Sequence, residues 1–474
     1  MARHARRTGK TTALSNVIRR VSAHAATASG RGRPGRRLAI VATACVAAVV
    51  PLAAADWPQW RGPGSGGVAA DAVLPVAWSA TERVAWRSPL AGLGTSSPIV
   101  VGDRVIVSSQ AGATPTARGA PQLARDDRAL AARETPLGGR EGAGSGPATL
   151  VVEAFDRAAG TRLWEYRTPA IGPFAELHEK HNLATPTPVS DGERVYAWFG
   201  NGQLVALDLG GRLVWSRHLG REIGPFDALW GHGSSPAIYR DTVILLCDHR
   251  SNAALVALDA KTGQDRWKAD RGGGRVSHST PVVASGPAGD ELIVNSSARV
   301  DAYDPATGAL LWFTGTDRQT PIPSAVFADG RIFLSRGYRN SDVLAIRPGG
   351  RGDVTATHVD WTAPNGASYV PSVVHYDGLI YMTNEIGIVT CIDARSGQRV
   401  WQQRLGDVFF ASPVAGAGKI YYVGESGVTH VLKAGRTAQV LATNDLGERF
   451  LASPAIAQGR IYLRSDGTLF AIGP

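Results

Sequence analysis

The sequence predicts an all-β protein that folds as a single eight-bladed β-propeller with four-stranded antiparallel blades. Three observations lead to this prediction. A Ser/Thr-Pro signal recurs eight times, an Asp-x-x-Thr-Gly signal ending in Trp recurs in phase with it, and apolar residues alternate with a period of two inside each unit. After residue 55 no long stretch has helical periodicity. The 474 residues would suffice for two or three average domains, but the repeats favour one large β domain.

The first half of each repeat is a small residue, then Ser or Thr, then Pro, followed by a short apolar run and a turn. Two looser copies keep the Ser and replace the Pro by Ala or Val. After the first interval the spacing is roughly 40–50 residues, the size of one four-stranded blade. The eight copies are Ser96-Ser97-Pro98, Pro186-Thr187-Pro188, Ser234-Ser235-Pro236, Ser279-Thr280-Pro281, Pro323-Ser324-Ala325, Pro371-Ser372-Val373, Ala411-Ser412-Pro413 and Ala452-Ser453-Pro454.

The second half of the repeat is typical of a tight turn that leads into an outer strand. Its Asp can accept hydrogen bonds from backbone N–H groups of the turn, and its Gly allows a positive φ. The following Trp offers a large flat face to bury against a neighbouring blade. The residues expected to dock the blades in this way are Trp86, Trp164, Trp215, Trp267, Trp312, Trp401, Asp259, Gly263, Asp304, Gly308, Asp393 and Gly397.

The ring is expected to close through a strand from the other end of the chain. The last unit, from Ala452 to Pro474, has room for only three strands. The segment around Trp86, before the first repeat, is typical of a lone strand with its Trp in the docking position. We therefore expect this N-terminal strand to complete the eighth blade, which removes the exposed edges of an open array.

Residues 1–55 are typical of a signal or targeting segment. A basic stretch precedes the apolar run from Leu38 to Val50, and an Ala-x-Ala pattern ends at Ala55. The apolar run is short for a transmembrane helix, so the mature form is expected to lack a membrane span. Cleavage near Ala55 would deliver the protein to the periplasm or the exterior. A twin-arginine signal at Arg36-Arg37 and a lipoprotein box at Cys45 are alternatives with poorer flanking residues.

The net charge of +10 does not indicate nucleic-acid binding. Ten of the 50 basic residues lie in 1–55, which contains no Asp or Glu, so the remainder carries 40 basic and 40 acidic residues. Residues 56–474 are therefore formally neutral and lack the excess positive charge that binding to a phosphate backbone requires. The two cysteines after the targeting segment, Cys247 and Cys391, lie in apolar strand-like contexts and are expected to be buried free thiols.

Residues 56–83 are expected to form an N-terminal arm packed on the propeller of residues 84–474. The arm begins with two tryptophans, and we expect them to pack against the propeller wall; carbohydrate stacking is the alternative. The segment at about 111–147 is rich in Ala, Gly, Arg and Pro and lacks strand periodicity. It is interpreted as a flexible surface insertion, with a functional lid as the alternative.

The arm sequence Asp56-Trp57-Pro58-Gln59-Trp60-Arg61-Gly62-Pro63, followed by these repeats, resembles the exported bacterial proteins with PQQ-binding-like β-propeller repeats. Quinoprotein alcohol dehydrogenases and a propeller lipoprotein of outer-membrane protein assembly share that fold. The resemblance covers about residues 56–474 and implies the fold. In that family the repeat Trp residues hold blades together and do not bind the cofactor. The resemblance therefore does not by itself imply PQQ with calcium, and the adjacent Cys pair usual in alcohol-oxidising members is absent here.

Two histidines are the leading candidates for a binding site. His232 and His278 immediately precede the Ser/Thr-Pro signals of successive blades, which places them near one mouth of the central channel. Hydrogen bonding to loop backbone, binding of a small or peptidic ligand, and a metal or acid–base centre all remain open for them. Equivalent or neighbouring positions, expected to mix polar groups with an apolar wall, are Thr185, Trp230, Asp248, Tyr369, Phe409 and Phe450.

The function favoured by these observations is a non-catalytic binding or scaffolding propeller of the cell envelope. It is expected to be a monomer that binds a small or peptidic ligand, or envelope proteins, at the channel mouth. The alternatives are a PQQ-dependent or other periplasmic oxidoreductase, and a metal-dependent lyase or hydrolase at the His-bearing mouth. No nucleophile elbow, Walker loop or His-Glu-x-x-His motif points to another reaction.

Overall fold

The computed structural model describes residues 56–112 and 147–474, apart from 72, 173, 175, 176, 179, 225, 229, 287, 298, 316–320, 338–341 and 365–367. The predictions made for residues 1–55 and for the insertion at 113–146 lie outside the described residues.

The described chain forms eight antiparallel sheets in sequence order, and the prediction of an eight-bladed propeller is confirmed. Each blade has four strands, ordered from the innermost to the outer one. Blades 1 to 4 consist of Ile99–Val101, Arg104–Ala111, Thr149–Asp156 and Arg162–Pro169; Val189–Ser190, Arg194–Trp198, Gln203–Asp208 and Leu213–His218; Ala237–Tyr239, Thr242–Cys247, Ala254–Asp259 and Asp265–Asp270; Val282–Gly286, Gly289–Ser296, Arg299–Tyr303 and Leu310–Gly315.

Blade 8 takes its outer strand from the start of the domain, which confirms the predicted ring closure. Strand Val84–Pro89 pairs antiparallel with Thr468–Ile472, and Trp86 lies opposite Ala471. Blades 5 to 8 consist of Val326–Ala328, Arg331–Ser335, Val343–Ile346 and Val359–Ala363; Val374–Tyr376, Leu379–Thr383, Ile388–Asp393 and Arg399–Arg404; Val414–Gly416, Lys419–Val423, Val428–Lys433 and Val440–Asp445; Ala455–Ala457, Arg460–Arg464, Thr468–Ile472 and Val84–Pro89.

Helical structure is confined to three short turns in the described part of the chain. They are the 3₁₀ turn Pro63–Ser65 and the α-helical turns Leu219–Glu222 and Thr355–His358. A short strand, Gly352–Asp353, adds in parallel to the outer strand of blade 4. No helix among the described residues has the length and apolarity needed to cross a membrane. Cys247 and Cys391 are buried free thiols, as predicted.

Strand direction divides the loops between two faces of the propeller. One face carries the loops between blades and the loops between the second and third strands of each blade, and we call it the mouth face. The other face carries the turns between first and second strands and between third and outer strands, and we call it the arm face. The antiparallel order of each blade puts these two sets of connections at opposite ends of the strands.

The Ser/Thr of each first half-repeat links neighbouring blades around the channel. The backbone N–H of that residue in one blade donates to the side-chain hydroxyl of the same residue in the next blade. Ser324 and Ser372, in the two copies without Pro, take part like the others, so the hydroxyl is the shared requirement. Seven such bonds are formed: Ser97 to Thr187 at 2.9 Å, Thr187 to Ser235 at 2.9 Å, Ser235 to Thr280 at 3.0 Å, Thr280 to Ser324 at 2.7 Å, Ser324 to Ser372 at 2.9 Å, Ser372 to Ser412 at 2.9 Å and Ser412 to Ser453 at 2.9 Å.

Replacing Ser235 by Ala is expected to destabilise the propeller by about 1–3 kcal/mol, because it leaves the buried N–H of Thr187 without an acceptor. Ser235→Thr keeps the hydroxyl and is expected to have little effect, since Thr occupies the same position in blades 2 and 4. Urea unfolding of both variants measures the difference. Equal midpoints for Ser235→Ala and Ser235→Thr would show that the hydroxyl is dispensable.

The outer-strand tryptophans pack on the glycine turn of the next blade. Trp215 of blade 2 donates its indole N–H to Ala260 O of blade 3 at 3.0 Å. A Cβ added at Gly263 would lie 2.7 Å from this indole, so only glycine allows the ring to approach so closely. The same arrangement joins Trp86 to Gly160, Trp164 to Gly211, Trp267 to Gly308 and Trp361 to Gly397. In the turns themselves, Asp259, Asp304 and Asp393 each accept hydrogen bonds from backbone N–H groups.

Trp312 differs from the other repeat tryptophans. Its indole N–H donates to Glu291 of its own blade at 3.0 Å, and the ring is fully buried. Trp401 donates to Gly435 O of blade 7 at 3.0 Å. Blade 5 has the helical turn Thr355–His358 where blades 1 to 4 and 6 have the Asp turn of the repeat, and Trp361 after it was not recognised from the sequence.

The N-terminal arm lies against the innermost strands and closes the arm-face end of the channel. Trp57 pairs with Val100 of blade 1 through two 2.9 Å backbone bonds, and it is buried. The Arg61 guanidinium, also buried, donates to backbone carbonyls of blades 6 and 7 and of the arm. Its acceptors are Val373 O at 2.6 Å, Gly66 O at 3.0 Å, Ser65 O at 3.3 Å, Ser372 O at 3.4 Å and Pro413 O at 3.4 Å.

Candidate functional site

A loop from blades 1 and 2 crosses the mouth face of the channel. Lys180, in the connection between these blades, forms an ion pair with Glu425 of blade 7, with 3.1 Å between Nζ and Oε2. The ammonium also lies 4.0 Å from the centre of the Phe410 ring. Arg449 donates to the other oxygen of Glu425 at 2.6 Å. Lys180 and Glu425 are 8% and 6% exposed, so this bridge is largely shielded from water and stronger than a surface ion pair.

Histidines from four connections meet on the mouth face of blades 2 to 4. The His232 ring lies 4.3 Å from Trp198 and 5.6 Å from His249, measured between ring centres. Gly233, the residue after His232, lies beside two further histidines. A Cβ added at Gly233 would lie 3.2 Å from His181 Nε2 and 3.7 Å from His278 Cβ. We call His181, His232, His249 and His278 the histidine cluster.

Burial lowers the pKa values of three members of the histidine cluster, His232, His249 and His278. Burial lowers the pKa of His249 to about 4, although Asp248 and Asp227 oppose the shift. Burial also lowers the pKa of His278 to about 4. The pKa of His232 lies well below its usual value, first through burial and then through the neighbouring histidines. Both ring nitrogens of His232 are buried, and the backbone of Ser234 in the same loop is its nearest hydrogen-bonding group.

Asp248 belongs to a buried ion network and does not face the mouth. Arg271 donates to both of its oxygens, at 2.7 and 3.0 Å, and Ser296 donates to one of them at 2.6 Å. Arg271 also lies 3.0 Å from Asp301, and all three charged side chains are fully buried. The neighbouring Arg271 charge holds the pKa of Asp248 below its usual value against the effect of burial. Asp248 is therefore a structural residue between blades 3 and 4.

The aromatic side of the expected mouth is part of the core. Phe409 and Phe450 are 0% and 1% exposed, and they pack on Tyr422 and Phe470, respectively. Sequence position alone could not show that these rings turn into the blade instead of the channel. Thr185 lies at the rim, where its hydroxyl donates to Asn182 O at 3.0 Å and so serves the loop.

Tyr369 and Trp230 are half-buried at the mouth. The backbone N–H of Tyr369 donates to Glu385 at 2.8 Å. Trp230 has a φ of 66°, an uncommon left-handed conformation for a bulky residue. Its indole N–H is buried without a hydrogen bond. His232 and His278 belong to the histidine cluster, and Asp248 acts on His249 of that cluster, whereas Phe409 and Phe450 are buried in the core.

A metal ion requires a set of donor side chains that lie together. Within them there is no group of three or more His, Cys, Asp or Glu side chains arranged to hold a metal ion. The carboxylates of Asp248 and Asp301, which lie together, already neutralise Arg271.

Comparison with known proteins gives the family. The profile of the family described as outer membrane protein assembly factor BamB matches residues 148–403 and 385–473. The chain belongs to this family. The BamB protein of Yersinia pestis is 25% identical over 288 residues, which are 60% of this chain and 59% of the relative. The matched stretch thus spans about three fifths of the length of that relative.

Solved structures share the fold of this BamB-family chain. BamB from Moraxella catarrhalis superposes with a TM-score of 0.50 at 16% identity, over 68% of this chain and 88% of the other. A europium-containing methanol dehydrogenase superposes with a TM-score of 0.57 at 13% identity, over 88% of this chain and 98% of the other. At these identities the likeness concerns the fold alone, and it does not separate the BamB family from the dehydrogenases by function.

Proposed function

We propose that this protein is a non-catalytic scaffold of the cell envelope that binds a protein partner on its mouth face. The observation that carries the proposal is the match of the BamB family profile through residues 148–473. Its relatives are named for a part in outer membrane protein assembly, which requires contact with other proteins. The basic and apolar segment at 1–55 supports export, and we place the mature protein in the periplasm or outside the cell.

The mouth face has features suited to a protein partner. Ile171 and Phe174 in the bridging loop, and Ile386 in the turn between the second and third strands of blade 6, are 37%, 41% and 38% exposed. Large apolar side chains exposed on the rigid end of a propeller favour protein contact over water. The Lys180–Glu425 ion pair holds the loop that carries two of them, and so fixes part of the surface before a partner binds.

Replacing Phe174 and Ile386 by Asp in one variant is expected to reduce partner recovery at least tenfold, because two carboxylates would have to be buried in the complex. Affinity capture from an envelope extract, followed by quantitative mass spectrometry, measures the recovery. Val73→Asp is the matched control, since Val73 is 78% exposed and follows the part of the arm that packs on the opposite face. Equal loss in both variants, or no loss in either, would exclude the mouth face as the partner surface.

The enzymatic alternative has its own test. The protein mixed with PQQ and calcium is expected to show no visible absorption band and no reduction of an electron-accepting dye. A stoichiometric band together with dye reduction would overturn the scaffold proposal.

A further inference from the structure

A cleft of about 390 Å³ opens on the arm face, at the junction of blades 5 and 6. One wall is the arm, which contributes Pro63, Gly64, Gly66 and Val68. The floor and the other wall come from the innermost strands of the two blades and the turns after them, Val326–Ala328 and His375–Asp377. The volume lies in the range of small-ligand sites, and the lining is mostly apolar with a few polar groups.

Two aspartates stand at equivalent places beside the cleft. Asp329 follows the innermost strand of blade 5, Asp377 follows that of blade 6, and both have a left-handed backbone with φ near 50°. Asp329 is 62% exposed, and Asp377 lines the cleft. Asp-Gly suits tight hairpin turns, so turn geometry alone would explain the identity of these residues.

A buried imidazole inside the cleft is not explained by turn geometry. The His375 side chain is 9% exposed, stacks on Phe333 with an interplanar angle of 2°, and lines the cleft. Its Nε2 lies 3.1 Å from an oxygen of Asp329 and pairs with that carboxylate beside the cleft. Burial lowers the pKa of His375, and the two aspartates only partly oppose this. At neutral pH the imidazole therefore leaves the charge of both carboxylates uncompensated.

The remaining lining suits a cation carried on an apolar stem. Phe327 and Tyr376 offer aromatic faces, and Val68, Val326 and Ala328 offer aliphatic surface. Among the described residues that line the cleft there is no Lys or Arg, so the two carboxylates face no lining cation. Aromatic faces and carboxylates together attract a guanidinium or ammonium, while methylene groups pack on the aliphatic floor.

We propose that this arm-face cleft binds the side chain of an arginine or lysine from a partner polypeptide, with its cationic end between Asp329 and Asp377. His375 holds the Asp329 carboxylate beside the cleft, where its other oxygen can accept a hydrogen bond from the bound guanidinium or ammonium. The site lies on the opposite face from the partner surface proposed above and does not depend on it.

The test uses the purified full chain and two capped peptides, acetyl-Gly-Arg-Gly-amide and the same peptide with citrulline in place of arginine. Isothermal titration is expected to show saturable 1:1 binding of the arginine peptide and at least tenfold weaker binding of the neutral one. The same peptide with lysine in place of arginine shows whether the guanidinium or the ammonium binds with the higher affinity. Affinity for the arginine peptide is expected to fall as salt is raised, because both carboxylates are near the surface.

Variants of the full chain distinguish a loss of binding in the cleft from a loss of folding. Asp329→Asn with Asp377→Asn removes both charges and keeps the turns, since Asn-Gly is as suited to them as Asp-Gly. Binding is expected to fall at least tenfold. Gly66 lines the cleft with an ordinary φ of −82°, and a Cβ there meets nothing within 4 Å, so Gly66→Leu is expected to obstruct binding without strain. Gly467→Leu, in an equally open position on the mouth face, is the control and is expected to bind normally.

Three results would overturn the proposal: no saturable binding of either cationic peptide, equal binding of the citrulline peptide, or unchanged binding by the double Asn variant. Thermal unfolding of each variant shows whether it is folded. Because the peptides probe the cleft directly, failure here leaves the mouth-face proposal standing, and failure of the capture experiment leaves this one standing.

Discussion

Replacing Arg61 by Met is expected to destabilise the packing of the arm by roughly 3 kcal/mol or more. The substitution leaves up to five backbone carbonyls near the channel axis without their donor. Removing the charge recovers part of the free energy that its desolvation costs. That cost is substantial, since burial lowers the pKa of Arg61 to about 9. Each buried carbonyl left unsatisfied costs about 1–3 kcal/mol, so the loss outweighs the recovery.

Urea unfolding and amide hydrogen exchange check this prediction together. Exchange of the Trp57 and Val100 amides, which pair the arm with blade 1, is expected to accelerate in Arg61→Met. Arg87→Met is the matched control, because Arg87 is exposed on the closing strand and its loss is expected to cost less than about 0.5 kcal/mol. If Arg61→Met behaves like Arg87→Met in both measurements, Arg61 does not hold the arm.

Lowering the pH from 7 to 5 is expected to destabilise the propeller through the histidine cluster. In the unfolded chain a histidine has a pKa of about 6.5, whereas in the fold His249 titrates at about 4. Between these values the unfolded state binds more protons, so stability falls with the pH. For His249 the loss reaches about 3 kcal/mol by pH 4. His232 and His278 contribute in the same direction.

Carboxylates complicate the lower end of this range. Asp191, Asp259 and Asp393 have lowered pKa values in the fold, so their stabilising effect is present above the unfolded value near 3.9 and is lost below it. Burial raises the pKa values of Glu153 and Glu385, which opposes the effect of the histidines as the pH falls, so the contribution of histidine is read from the difference between variants. In His249→Phe the decrease in unfolding free energy over this interval is expected to be smaller than in the wild type. His358→Phe, outside the cluster, is the control. Identical pH dependence in the wild type and His249→Phe would contradict the prediction.

The repeat pattern was sufficient to predict the architecture because both half-repeats have physical roles that recur in most of their copies. A hydroxyl in the Ser/Thr-Pro signal links each blade to the next, and a Trp covers the following glycine turn. Blade 5 shows where such reasoning ends. Its third and outer strands are joined by a segment containing Thr355–His358, so no turn signal precedes Trp361.

The candidate site was less predictable, because its residues come together from distant positions. His249 follows the second strand of blade 3, and Lys180 reaches Glu425 across 245 positions of the chain. The carbonyls that accept from Arg61 at Ser372 and Pro413 are 311 and 352 positions away. Position just before an innermost strand predicts that His232, His278, Phe409 and Phe450 all lie at the mouth. Phe409 and Phe450 are instead buried. Only the rotation of each side chain shows that these two rings are core.

Pairing of strand Val84–Pro89 with Thr468–Ile472 also fixes when the fold can be completed. During synthesis or translocation the first of these strands emerges long before its partner, and until then its edge is open to other strands or to proteases. A product released before Thr468 would keep that edge permanently. Arrival of the last strand is thus the step that covers the open edge of the ring.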